Sequence, residues 1–429
     1  MNREILRLAI PNILSNISIP LLSSFDTALM GRLTELHIGA VGVGAMIFNF
    51  VYWNFGFLRM GTTGMTAQAY GRRNESEMID LFGRAMLVAL GLSALVLVLQ
   101  QPLGKLAVQL LQVPDSQVSL VETYFYIRIW AAPATLSSFA IMGWFFGMQN
   151  AIFPLILTIV VNVVNMAVSY VLVIQYGMET AGVAYGTLIA QYAGLLLGVG
   201  LFLGRYRYLL PHFRRAAILQ WAALSRFLTI NRDIFIRTIC LTLAFAFFYR
   251  ESGSEGEMIL AVNVILLQFL NWMSYGVDGF AFASESLVGK YAGASDASKT
   301  KRAIRLSFTW GMGLAVGYGL CYWLFGPALV RIFTNQNDVI QATLPYLFWM
   351  AIFPVLSTPC YIWDGVFIGL TASNSMRNTM LLAFAVYLLA YFGLKGYGND
   401  GLWLTLLLFM IARGAFQYLW FWRKGLALN

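Results

Sequence analysis

Apolar residues along this chain gather into long runs, and short polar breaks separate them. A helix crossing a bilayer uses about 20 consecutive apolar residues. Each run therefore reads as one span, and twelve are predicted, at about 8–31, 39–69, 84–103, 121–147, 153–176, 182–204, 229–249, 258–289, 305–326, 341–370, 379–395 and 401–422. Several exceed the length of a bare crossing, which predicts tilt or extension past the membrane. The breaks carry turn chemistry, as in Gly71-Arg72-Arg73-Asn74, Val113-Pro114-Asp115-Ser116 and Gly398-Asn399-Asp400-Gly401. The first run begins like a signal peptide. It is too long for one, lacks a small-residue cleavage site and is interrupted by Pro11, Asn12, Asn16 and Pro20, so it is expected to stay as the first helix.

Composition sharpens this picture. Of 429 residues, 59% are apolar and 11% charged, against about 45–50% and about 25% in soluble domains. That excludes a soluble enzyme, a disordered chain and a disulfide scaffold. The net charge of +9 is no nucleic-acid signature, because the charges sit in the gaps between apolar runs rather than on one stripe. Cys240, Cys321 and Cys360 all fall inside apolar runs and are expected to be buried small hydrophobes.

Lys and Arg set the orientation. With the amino terminus inside, the inner segments hold eighteen and the outer segments five. Both termini are expected in the cytoplasm. Residues 205–228, with five arginines, form the one long inner linker between an amino-terminal lobe (1–204) and a carboxy-terminal lobe (229–429). The halves resemble each other. Ala40-Val41-Gly42-Val43 matches Ala261-Val262-Asn263-Val264, Tyr70 matches Tyr291, Pro133 matches Pro354 and Phe146 matches Phe367, all displaced by 221. Six spans per half cross in the same sense, which gives parallel repeats and a cavity between two lobes, a transporter's architecture. The expected fold is an all-α membrane protein of two pseudo-symmetric six-helix bundles.

Ionisable residues inside spans are costly and are functional candidates. They are Asp26, Arg59, Arg128, Asp278, Glu285, Asp364 and Arg413, with Asp233 and Arg237 at the inner entrance of span seven. Both histidines, His37 and His212, are read as loop residues, so zinc, haem or histidine-based acyl transfer has no support. Asp26, near the outer end of span one, is either a snorkelling carboxylate or a partner for Arg32, or it belongs to a site. Depth favours the site: Asn165, Ser169 and Thr187 fall in the same slab of the first half. Oxygen ligands of this kind suit H⁺ or Na⁺ rather than a transition metal. Asp278 and Arg59 lie at similar depths and form either a structural pair or a substrate site. The Asp233–Arg237 spacing of four permits an ion pair on one helix face. Met46, Phe50, Trp53, Trp144 and Met148 either line a pliable cavity or serve packing and lipid contact.

Asp26-Thr27-Ala28-Leu29-Met30-Gly31, Met65–Gly71 (Met-Thr-Ala-Gln-Ala-Tyr-Gly) and Gly182–Thr187 (Gly-Val-Ala-Tyr-Gly-Thr) resemble motifs of the multidrug and toxic compound extrusion (MATE) family. Asn231–Arg237, Asp278-Gly279-Phe280-Ala281 and Trp363–Gly369 resemble its DinF-like branch. The resemblance spans nearly the whole chain. It implies a twelve-helix exporter that uses an inward H⁺ or Na⁺ gradient to expel organic, often cationic, compounds, with no further cofactor. In relatives, a cation site combines Asp on helix one, Asn and Asp on helix five, and Thr on helix six. Asp26, Asn165 and Thr187 fit those positions. Ser169 stands where the second Asp is found, which removes one negative charge and leans toward H⁺, with Na⁺ at the Asp26 site as the other reading. Pro11 corresponds to a helix-one proline around which relatives bend. Asp364 fits a helix-ten acidic position used for cation or substrate, but the helix-seven Glu that accompanies it is replaced near Ile239-Cys240. Asp364 is thus read as a substrate group, as a partner of Arg413 or as a cap for local backbone.

The alternative reading is a flippase for lipid-linked saccharide or cell-wall precursors, which shares the wider fold but usually has more helices and a strongly basic cavity. A receptor or scaffold is disfavoured, because no sizeable soluble domain is present. The expected setting is a bacterial inner membrane, with the lipid bilayer and small-molecule substrates as partners, no nucleic acid, and a monomer.

Overall fold

A computed structural model of the chain describes residues 1–30 and 35–425, apart from the side chains of 19–21, 23, 24, 26–28, 30 and 35. The described residues are helical almost throughout. The elements are α1 (Asn2–Met30), α2 (Glu35–Phe55), α3 (Phe57–Gly71), α4 (Glu75–Val98), α5 (Gln100–Leu110), α6 (Asp115–Arg128), α7 (Ala132–Gly147), α8 (Ile152–Tyr170), α9 (Glu179–Tyr206), α10 (Arg215–Leu219), α11 (Trp221–Ser254), α12 (Glu257–Gly293), α13 (Ala297–Phe333), α14 (Asn337–Thr343), α15 (Leu347–Gly369), α16 (Ser373–Leu394) and α17 (Gly398–Lys424). Among the described residues, nine helical stretches are long and apolar enough to cross a membrane, and the last, Ser373–Lys424, contains both α16 and α17. With α1 and α11 the crossings number twelve. The second span is α2 and α3 joined at Gly56, and the fourth is α6 and α7 joined by a single 3-10 turn, Ile129–Ala131.

The chain groups into two compact units, one of Leu14–Leu228 and one of Met1–Ile13 with Thr229–Asn429. This differs from a cut at the linker. The first thirteen residues pack with the carboxy-terminal helices for a physical reason: Gly279 on α12 leaves room for α1, and a Cβ there would stand 2.9 Å from the Ala9 carbonyl oxygen. Charge holds the start of α1. The Glu4 carboxylate accepts hydrogen bonds from Lys290 Nζ at 3.1 Å and Tyr291 Oη at 3.0 Å. Helix α1 runs unbroken through Pro11, and the boundary between units falls just beyond it, after Ile13.

Within the unit of residues 14–228, α3 crosses α7 at close range. A Cβ at Gly143 would collide with the Arg59 carbonyl, and one at Gly147 would lie 2.9 Å from the Thr63 carbonyl oxygen. In the other unit α12 crosses α15 in the same way, with Gly365 against the Ala281 carbonyl and Gly369 2.7 Å from the Glu285 carbonyl oxygen. Both contacts repeat at 222 residues, not 221. Turn geometry agrees: Arg73 and Ser295 have φ of 57° and 55°, and Gln149 and Thr371 have 62° and 54°. The caps that follow are also equivalent, Asn74 accepting from Glu77 N and Asp296 from Lys299 N. The letter matches at 221 are therefore one residue out of register. A helix turns about 100° per residue, so Tyr70 and Tyr291 face different directions in their units. Apolar helices share letters by chance, whereas a backbone crossing admits only glycine.

Three further expectations are corrected. His37 lies in α2, its Nδ1 2.8 Å from Thr180 Oγ1, and His212 lies in the 3-10 turn Arg207–His212. Cys240 and Cys360 are buried, but Cys321 is exposed on α13 among Leu320, Trp323 and Leu324, an apolar face suited to lipid. The expected Asp233–Arg237 pair does not form, because each group finds a partner on another helix.

Candidate functional site

Helix α8 carries Asn165 and Ser169 four positions apart, hence on one face. Helix α9 opposes them with glycines at Gly182, Gly186, Gly194 and Gly198. At Gly186 a Cβ would collide with Ser169 Oγ and stand 2.9 Å from Ser169 N, and at Gly182 it would lie 3.2 Å from the Leu172 carbonyl carbon. Small residues let membrane helices approach until polar groups bond across them. Here Asn165 Nδ2 donates to Thr187 Oγ1 at 2.9 Å, and Thr187 Oγ1 donates to the Val183 carbonyl at 3.0 Å. Asn165, Ser169 and Thr187 are all buried. Asn165 Oδ1 and Ser169 Oγ have no hydrogen-bond partner among the described residues. A buried unpaired polar atom costs about 1–3 kcal/mol. Two such oxygens on adjoining turns have the chemistry to accept from a donor or to ligate a cation. The Asp26 side chain and Arg32 lie outside the described residues.

A polar ladder below this cluster was not singled out from the sequence. Ser15 Oγ donates to Thr158 Oγ1 at 2.8 Å, and Asn162 Nδ2 donates to Ser18 Oγ at 3.0 Å. Its signal is there to be read: polar residues at helical spacing in two apolar runs, each too short to stand out alone.

In the other unit Asp364 occupies the centre of a buried ionic cluster. Its Oδ2 accepts from Arg237 Nη2 and, at 2.7 Å, from Arg413 Nη2, and its Oδ1 accepts from Gln417 Nε2 at 2.6 Å. Of the readings open for Asp364, pairing with Arg413 is present, with Arg237 and Gln417 added. Two guanidiniums on one oxygen and a carboxamide on the other occupy three of the about four acceptor positions of this carboxylate. Asp233, one turn below Arg237, bonds instead to Arg377 Nη1 at 2.7 Å and Ser373 Oγ at 3.1 Å, tying α11 to α16. Asn263, met as a letter of the repeat, proves to be a buried hub: it donates to Asn399 Oδ1 at 2.7 Å and accepts from Trp403 Nε1 at 2.8 Å.

Asp278 and Arg59 belong to different units. Asp278 is half-buried one turn from Ser274, whose hydroxyl lies 3.0 Å from Tyr361 Oη. Arg59 stands over the Phe146 ring at 5.7 Å. Of the suggested cavity residues, Met46, Phe50 and Trp53 are exposed along one face of α2, whereas Trp144 and Met148 are core. Trp144 packs among Phe82, Phe202 and Tyr206 and donates to the Met78 carbonyl at 2.8 Å. Among the described residues no group of three or more His, Cys, Asp or Glu side chains comes together in a way that could hold a metal.

Comparison with known proteins agrees with this architecture. The MatE family matches residues 11–171 and again 234–393, and the two matches end 222 positions apart, the spacing of the helix crossings. DNA damage-inducible protein F of Escherichia coli K12 is 35% identical over 99% of this chain and 93% of its own length. Among solved structures, a multidrug resistance MATE family transporter in an outward-facing conformation superposes with a TM-score of 0.90 at 17% identity, covering 100% of this chain and 96% of that one. The Vibrio cholerae MATE transporter VcmN in its bent form gives 0.87 at 20% identity, covering 100% and 97%. With the same family profile on both halves and full-length similarity to the Escherichia coli protein, this chain belongs to the MatE, or multidrug and toxic compound extrusion, family.

Proposed function

We propose that this protein is a secondary antiporter that exports organic, often cationic, compounds in exchange for H⁺ or Na⁺, acting as a monomer in a bacterial inner membrane with both termini cytoplasmic. The observation that carries the reading is the buried cluster of Asn165, Ser169 and Thr187, with two oxygens still lacking partners among the described residues. A resident cation or a protonated carboxyl group would satisfy them. Asp26 supplies the carboxylate in this proposal. Helices α1 and α8 keep step through Ser15–Thr158 and Ser18–Asn162, and two further turns along each helix reach residue 26 and Ser169. Family membership and the names of several relatives as multidrug resistance proteins support the export of organic compounds.

A site with one carboxylate, one carboxamide and two hydroxyls favours H⁺. A carboxylate removed from water resists ionisation and can be neutralised by a proton, and no second acid is present on α8 to hold Na⁺. The proton must bind the two conformations of the transporter unequally, or it would shift nothing. Bending of α1 at Pro11 is part of the same proposal, since the two units divide just beyond it. Asp364 is read as a structural group rather than a substrate group, because its oxygens are occupied. Asp278 and Arg59 remain the candidates for substrate contact.

The test is flux in proteoliposomes under an imposed pH or Na⁺ gradient. Asp26→Asn, which mimics the protonated state, is expected to abolish gradient-driven efflux while preserving folding and part of the substrate binding. Uphill export that survives in Asp26→Asn would remove Asp26 from the coupling site. Transport of lipid-linked saccharide without gradient-driven drug efflux would favour the flippase reading.

A further inference from the structure

The segment between the two halves is not a loose tether. Its 3-10 turn and α10 are fastened along α4 by three polar contacts at successive turns. His212 Nε2 lies 3.7 Å from Glu75 Oε2, Arg214 Nη2 3.1 Å from Asp80 Oδ2, and Arg84 Nη2 donates to the Ala217 carbonyl at 2.8 Å. Gly83 on α4 makes room for the segment, since a Cβ there would lie 3.2 Å from the Phe213 ring and closer still to Ile218. Leu209 and Ile218 are buried. One face of the segment is thereby fixed and ordered.

The other face is unusual for a loop in water. Tyr208 and Leu210 are exposed, and Leu219 and Trp221 are 65% and 72% exposed. Arg205, Arg207 and Arg215 are exposed in the same stretch. Residues 205–228 contain five arginines and no Asp or Glu. The nearby acids on α4 already face basic partners, Asp80 with Arg214, Glu75 with His212 and Glu77 with Arg72 at 2.9 Å. Arginine forks fit phosphate oxygens. Aromatic rings with a polar end settle at the headgroup level, and amphipathic basic segments bind anionic membrane surfaces. The excess of Lys and Arg places this segment on the cytoplasmic side.

We propose that residues 205–221 form a docking surface for the anionic phospholipid headgroups of the inner leaflet. The exposed aromatic and aliphatic side chains enter the acyl–headgroup boundary, and Arg205, Arg207 and Arg215 engage phosphates. The contacts to α4 hold this face toward the membrane, so the lipid meets a preformed surface rather than ordering a loop.

Native mass spectrometry of the full-length protein, titrated with phosphatidylglycerol or phosphatidylcholine, tests the proposal. Wild type should bind its first phosphatidylglycerol more tightly than phosphatidylcholine, and the preference should fall as salt rises. The triple variant Arg205→Gln/Arg207→Gln/Arg215→Gln leaves Arg214–Asp80 and Arg84–Ala217 untouched. It should weaken phosphatidylglycerol binding about fivefold for each arginine removed, while the corresponding Arg→Lys triple retains most of it. Equal binding of the two lipids by wild type, or undiminished preference in the Gln triple, would overturn the proposal. So would displacement of the bound lipid by inorganic phosphate at matched ionic strength, which would make a free anion the ligand.

Discussion

Asp364 shows how far one residue's meaning depends on its neighbours. From the chain it is a costly carboxylate in a span and a candidate to meet substrate. In the fold its oxygens accept from Arg237, Arg413 and Gln417, and all the groups of this cluster are buried. Breaking a buried ion pair by removing one partner costs about 3–5 kcal/mol, because the other charge is left uncompensated. Asp364→Asn should therefore lower the thermal midpoint sharply and reduce transport of cationic and neutral substrates alike. A stable Asp364→Asn protein that loses only cationic substrates would return Asp364 to the substrate site. Glu4 illustrates the opposite case, a charge at the membrane edge. Burial pushes its carboxyl up, but the hydrogen bonds and charge of Lys290, the Tyr291 hydroxyl and the amino terminus together hold it below the usual glutamate value. A lowered native pKa contributes stability that is present above the unfolded-state value and is lost as pH falls through the native one. Glu4→Gln should accordingly lower stability at neutral pH, change it little well below about pH 4.3, and so flatten the acid side of the stability profile.

Among the elements, α9 and the segment before α11 carry the most consequence. The close approach of α9 to α8 depends on Gly186, where any side chain meets the Ser169 hydroxyl and backbone. Gly186→Leu should force the helices apart, break the Asn165–Thr187 bond and abolish gradient-driven flux, and a crystal or cryo-EM structure retaining that bond would contradict this account. The segment on α4 has a measurable release point. Asp80→Asn removes the charge that holds Arg214, so trypsin should cut at Arg205, Arg207 or Arg215 several times faster than in wild type. Unchanged cleavage would mean that Ile218 and the Arg84–Ala217 bond suffice. Twelve spans, their order and most of their turns were legible in the apolar runs, because a bilayer admits little else than helices. The kinks were not: a one-residue join at Gly56 and a 3-10 turn at Ile129–Ala131 leave no mark in hydropathy.

At the scale of the whole molecule, the repeat and the orientation make a joint prediction. Equivalent helices must cross in the same sense, so in a background with the native cysteines replaced, Gly253→Cys should react with outside-only reagents and Ser298→Cys should not. Labelling of both from outside would overturn the topology. The number of crossings, the existence of two similar halves and the family could all be read from the sequence. The crossings follow from composition and periodicity, which the bilayer enforces segment by segment, whereas the family rests on the resemblance of particular motifs such as Asp26–Gly31 and Met65–Gly71. The amino-terminal polar cluster was half legible: depth grouped Asn165, Ser169 and Thr187, but only the glycine face of α9 decided that they meet. The register of the repeat, 222 rather than 221, came from backbone crossings that letter matching cannot see. The partners of Asp233, Arg237 and Asp364, the assignment of residues 1–13 to the carboxy-terminal unit and the docked linker were decided by tertiary structure alone. Those are choices among contacts between distant segments, and spacing along a chain constrains only neighbours on the same helix.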